Sequence, residues 1–153
     1  MDRKSMIKTA ALVVFAVGVL GSAYASDSAC NNRLIAGHYG FTLQGTKLAG
    51  PGFLGPQVGV AMTDFDGHGN FTHIDTVTIS GMVDADFTHT PASGTYTVNP
   101  DCTGTYTINF TDGRPPVTVN FVAVKDGSEI DGVVTSVNGN QGIISILAVG
   151  KRR

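Results

Sequence analysis

The sequence predicts an all-β domain: a single antiparallel eight-stranded meander barrel behind an N-terminal signal peptide. Three observations carry this. Beyond residue 36 no stretch places apolar residues at helical spacing, whereas short segments alternate apolar and polar residues. Those segments end at Asx-Gly or Gly-Pro turns. Eight consecutive strands left as an open sheet would expose two edges, which closure into a barrel removes.

Tyr39, Phe41 and Leu43 share one face of the first strand, and Gly50-Pro51-Gly52 and Gly55-Pro56 mark a loop. The second strand runs from Val58 to Phe65. Asp66-Gly67-His68-Gly69 then turns the chain into a third, Asn70 to Ser80. Asp84 to Pro91 reads as a longer loop holding Phe87 and His89. The near-repeat Gly94-Thr95-Tyr96-Thr97-Val98-Asn99 and Gly104-Thr105-Tyr106-Thr107-Ile108-Asn109 forms a hairpin, tyrosine and Val or Ile on one face and threonine on the other. Asp112-Gly113, Asp126-Gly127 and Asn138-Gly139 separate the last three strands, Val117 to Val124, Glu129 to Thr135, and one ending near Val149.

Ahead of the barrel, Arg3, Lys4 and Lys8 precede an apolar run, Ala10 to Leu20, and the small-residue site Ala23-Tyr24-Ala25. That order predicts a secretory signal peptide cleaved after Ala25, the run being shorter than the ~20 residues of a membrane-spanning helix. The expected organisation is signal peptide 1–25, an N-terminal segment 26–36 tied by Cys30, a barrel 37–150 and a basic tail 151–153. The expected location is periplasmic or extracellular, with no membrane span after cleavage. In an oxidising compartment Cys30 and Cys102 are expected to pair. The mature chain carries seven basic and eleven acidic residues, which argues against nucleic acid as a partner.

Three segments together resemble a group of small secreted bacterial β-barrel proteins of uncharacterised function: Gly37-His38-Tyr39-Gly40-Phe41-Thr42-Leu43, Phe65-Asp66-Gly67-His68-Gly69-Asn70, and Gly94 to Thr105 with Cys102 after Pro100-Asp101. The resemblance implies a barrel of the calycin or allene-oxide-cyclase-like kind. Calycins mostly bind small apolar ligands, and allene oxide cyclase isomerises a fatty-acid-derived epoxide. No cyclase motif matches here residue by residue, so the resemblance carries over no functional residue.

Among the residues themselves, Phe71, His73, Asp75, Val77 and Ile79 share one parity of the third strand. A buried His73-Asp75 pair would supply acid-base chemistry; a bulge that turned both outward, with Ile74 facing the core, would supply none. Tyr39, Phe41, Tyr96, Tyr106, Phe110 and Phe121 form an aromatic interior, either a ligand lining or packed core. Asp64, Asp66, His68, Gly69 and Asp75 fall at calcium-loop spacing, but His68 and Asp75 are poor substitutes at their positions and the flanks are strands. His38, His68 and His89 lack metal-ligand spacing, and no cofactor motif or serine-nucleophile elbow is present. The first expectation is therefore a non-enzymatic barrel, a binder of a small hydrophobic ligand or an envelope-associated structural protein. The second is a cyclase- or isomerase-like enzyme working at the barrel mouth, and the third a module that binds partners through its loops.

Overall fold

The structure is a computed structural model that describes residues 29–86 and 91–153. The expected signal peptide, Phe87 and His89 lie outside the described residues. A short 3-10 turn, η1 (Asn32–Ile35), leads into β1 (Gly37–Lys47), β2 (Gly55–Phe65), β3 (Asn70–Ile79), β4 (Met82–Ala85), β5 (Ala92–Val98), β6 (Thr103–Asn109), β7 (Val117–Val124), β8 (Glu129–Val137) and β9 (Ile144–Arg152). Every pairing between these strands is antiparallel.

Sequential pairing from β5 to β9, together with β9–β1, β1–β2, β2–β3 and β3–β5, closes an eight-stranded barrel. The remaining strand, β4, was not expected, and its last two residues fall in the expected loop Asp84 to Pro91. It instead folds back on the end of β3 through the Ser80-Gly81 turn, where both residues take positive φ. Thus β3 exchanges partners along its length: Asn70 to His73 pair with β5, and Val77 to Ile79 pair with β4.

Alternation along the strands points one set of side chains inward, and the two ends of the barrel are filled differently. At the end near η1, Phe65 sits at the centre of an aromatic cluster, its ring centroid 5.5 Å from Tyr39, 5.5 Å from Phe71 and 4.9 Å from Tyr96. Tyr106 continues it, 5.8 Å from both Phe71 and Phe121. Eight strands give too little room for rings on every strand at one level. The sequence resolves this by placing glycine directly across the ladder from a ring: Gly94 opposite Phe71, Gly104 and Gly132 on either side of Phe121, and Gly150 opposite Phe41. A Cβ built on Gly94, Gly104 or Gly150 would run into the paired ring.

This end is also sealed from outside. Ile35 of η1 is fully buried, Tyr96 Oη donates to Asn32 O at 3.1 Å, and Asn32 Oδ1 accepts from Val98 N at 2.8 Å. Tyr39 Oη donates to Gly127 O, while the Arg152 guanidinium donates to Tyr39 Oη at 2.8 Å and to Leu34 O. One buried phenol thus joins β1 and β9 to the β7–β8 turn. The Cys30–Cys102 disulfide, with Cα atoms 5.0 Å apart, pins the N-terminal segment to the β5–β6 turn. Its 72-residue separation corresponds to roughly 4 kcal/mol in the chain-entropy model.

Ring-on-glycine packing makes a specific prediction. Gly104→Ala places a methyl group against the Phe121 ring and 2.5 Å from Thr97 O, and is expected to cost about 1–3 kcal/mol in a urea titration. An unchanged midpoint would mean that the ring does not need the glycine.

Candidate ligand site

At the opposite end, inward positions carry aliphatic side chains, and the interior is hollow. A cavity of about 660 Å³ is lined by Leu43, Val77, Ile79, Ile108, Val119 and Ile146 among others, with Phe41 and Tyr106 as its contact with the aromatic cluster. A volume of this order lies within the range of small-molecule sites, ~300–1,000 Å³. The mouth lies among the β1–β2 loop, β4, the β6–β7 loop and the β8–β9 loop, which contribute Pro51, Asp84, Arg114 and Asn140 to the lining. Large apolar side chains stand exposed beside it: Leu48, Phe53 and Leu54 on the β1–β2 loop, Met82 and Val83 on β4. The two groups adjoin, since Ser80 Oγ donates to Leu54 O at 2.8 Å.

The six aromatics expected to line a site or pack a core divide between these two roles. Phe41, Tyr106 and Phe110 line the cavity; Tyr39, Tyr96 and Phe121 belong to the packed end.

A polar cluster is set into this apolar wall. Phe71, His73, Asp75, Val77 and Ile79 all face inward, and the register of β3 against β2 is uninterrupted from Phe71 to Ile79. The alternative in which a bulge turns His73 and Asp75 outward is corrected here: the register shift falls between Val77 and Thr78, on the β4 side, and Ile74 lies on the outer face opposite Met62. His73 is 7% exposed and Asp75 3%. Thr63, directly across the ladder, places its Oγ1 2.8 Å from His73 Nδ1, and His73 Nε2 lies 3.7 Å from Asp75 Oδ2.

Arg114, from the β6–β7 loop, completes the cluster. Its Nη1 and Nη2 donate to the two oxygens of Asp75 at 3.1 and 2.9 Å, and its Nε donates to Asp112 Oδ2 at 2.8 Å. The guanidinium lies 3.8 Å above the Phe110 ring. Arg114 is bidentate on one carboxylate, bonded to a second and stacked on a ring, so each of its three nitrogens has a protein partner. Burial opposes ionisation of Asp75, but the polar contact with His73 and the Arg114 guanidinium more than offset it and hold the carboxyl at about 2.

Two of these groups were not singled out in the sequence. Arg114 follows an Asp-Gly turn and meets Asp75 across 39 residues of chain, so no local pattern marks it. Gln57, just before the expected start of the second strand, faces inward from β2, lines the cavity and is 7% exposed. Its Oε1 is the one buried side-chain polar atom without a hydrogen-bond partner among the described residues.

The calcium-spaced residues do not converge. Asp64 lies on the outer face, 3.4 Å from His38 Nδ1, and Asp75 lies inside. Asp66 caps its own turn, accepting from Asn70 Nδ2 and from the backbone of Asn70 and His68, bonds that hold its carboxyl at about 2. No group of three or more His, Cys, Asp or Glu side chains forms a metal-binding set among the described residues. No protein-family model and no curated protein matches the chain.

The Asp75–Arg114 pair predicts a pH dependence. Because the folded-state pKa of Asp75 is depressed from 3.8 to about 2, its contribution is fully present above pH ~4 and is lost as pH falls through ~2. Asp75→Asn is expected to lower stability at pH 7 by roughly 1–3 kcal/mol, below the usual cost of breaking a buried pair because Arg114 retains Asp112. The variant should also lose less stability than the parent between pH 4 and pH 2. Parallel slopes in urea titrations across that range would show that Asp75 is not ionically paired.

Proposed function

We propose that this protein is an exported barrel that binds a small, largely apolar ligand in its half-open interior without transforming it. The observation that carries the reading is the division of one barrel into a ring-packed, sealed end and a hollow aliphatic end of about 660 Å³. An envelope-associated structural role would need no such space, and filling it with larger side chains would add stability. The disulfide supports an oxidising compartment, and export rests on the N-terminal sequence pattern. Among the described residues no helix is long and apolar enough to cross a membrane.

Two measurements test the reading. Native mass spectrometry of protein purified from its own host is expected to give a chain starting at Ser26, two protons lighter than its reduced form, with a small molecule retained. In vitro, an environment-sensitive apolar fluorophore should bind with one-to-one stoichiometry, and Val134→Trp, which fills the cavity from β8, should weaken it at least tenfold while leaving the far-ultraviolet spectrum unchanged. A folded protein that neither retains a molecule nor binds the fluorophore overturns the proposal.

A second reading, an isomerase- or cyclase-like enzyme, has one specific observation in its favour. Thr63, His73, Asp75 and Arg114 form a continuous polar chain from the barrel wall to the cavity, and such a chain could hold or move a proton at His73. Recovering a bound ligand and comparing its NMR spectrum before and after incubation separates the two readings. An unchanged ligand supports the binder; a rearranged one, formed by the parent but not by His73→Leu, supports the enzyme.

A further inference from the structure

From the polar groups of the cavity we infer the chemical class of its ligand: a neutral, elongated apolar molecule that carries a hydrogen-bond donor such as a hydroxyl group, and not a fatty-acid carboxylate. The inference rests on the binding-barrel reading above and goes beyond it.

Charge disfavours the anion in the depth of the barrel. The cavity lining holds two cations, Lys47 and Arg114, and three carboxylates, Asp75, Asp84 and Asp112. Each Arg114 nitrogen already donates to Asp75 or Asp112, and Phe110 covers one face of the guanidinium. Lys47 sits at the rim and donates to Pro51 O at 2.7 Å. A ligand carboxylate deep in the barrel would therefore meet only Arg114, already shared between two carboxylates, while Lys47 stands at the rim, beside a wall with an excess of negative charge. Burying an unpaired carboxylate is far costlier than burying a hydroxyl that finds a partner.

Gln57 supplies that partner. It is a neutral polar side chain of the lining that is nine-tenths buried, with its carbonyl oxygen unsatisfied. A buried acceptor without a partner costs free energy that an incoming donor recovers. The terminal torsion of glutamine is soft, so the carboxamide can turn its oxygen toward a ligand without leaving a rotamer well.

Placement then sets the ligand's orientation and length. Gln57 lies across from Ile79 near the mouth, and Ala61 lies across from Asp75. The four-residue offset from Gln57 to Ala61 spans about 13 Å along the strand. A donor group held at Gln57 would leave an apolar tail of that order to run past Val77 and Leu43 toward Phe41 and Tyr106.

The test is displacement of the apolar fluorophore by dodecanol, by its methyl ether, which keeps the oxygen but has no donor, and by dodecanoate at pH 7.5. The parent protein is expected to bind the alcohol about tenfold more tightly than either the ether or the carboxylate. In Gln57→Leu the alcohol and ether should become equal while the fluorophore still binds. If that variant loses the fluorophore, Gln57→Met carries the same comparison. A carboxylate that binds as well as the alcohol, or an alcohol-to-ether ratio unchanged by both substitutions, overturns the inference while leaving the binding barrel in place. Failure of the parent protein to bind the fluorophore removes the barrel reading itself.

Discussion

The cross-strand pairing of large rings with glycine is the constraint from which the rest of this barrel follows. Eight inward-facing strands enclose an interior only one or two side chains wide. Phe41, Phe71 and Phe121 fit at one end because Gly150, Gly94, Gly104 and Gly132 leave the facing wall bare. The rings then pack edge to face around Phe65, and the resulting cluster forms the floor of the cavity. At the other end the inward positions change to Val, Ile and Leu, smaller groups that cannot meet across the barrel axis. Packed core and cavity therefore come from one alternation rule applied to side chains of two sizes.

That division explains how so polar a group as the Thr63–His73–Asp75–Arg114 cluster is accommodated. It sits where the two halves meet, at the level where β3 leaves its pairing with β5. The ladder to β5 ends at His73, and beyond it Arg114 of the β6–β7 loop meets the buried carboxylate of Asp75. The pair satisfies the opening electrostatically, and it commits Arg114 to the protein's own carboxylates, leaving Lys47 at the rim as the other cation of the lining.

Most of the strand order was legible in the sequence, because period-two alternation and Asx-Gly turns are local signals, whereas the inward face of β3 stayed open between two readings until the uninterrupted register against β2 decided it. The parity of Phe71, His73, Asp75, Val77 and Ile79 is itself the burial pattern. The competing bulge is also a real event in β3, displaced to Val77/Thr78 where β4 begins to pair. What could not be read depends on contacts distant in sequence. Arg114 is unremarkable beside Asp112-Gly113 until the fold brings it to Asp75, and whether six aromatics fill a barrel depends on which strand each faces. Tyr39, Tyr96 and Phe121 meet others at the sealed end, while Phe110 is drawn to the rim beneath Arg114.

Gln57 shows why an unsatisfied group can be more informative than a satisfied one. His73, Asp75 and Arg114 are the conspicuous residues of the interior, yet Asp75 and Arg114 are bonded to each other and His73 Nδ1 to Thr63. Gln57 could be replaced by leucine or methionine at similar volume, and the apolar wall would then be continuous. Keeping a carboxamide there costs stability in the empty barrel, because its oxygen is buried without a donor. The cost disappears when a guest supplies one. An interior that is otherwise aliphatic, carries excess negative charge and holds one idle acceptor discriminates between alcohols and acids of equal length. It does so both by giving the alcohol's donor a partner and by leaving the acid to compete with the wall's own carboxylates.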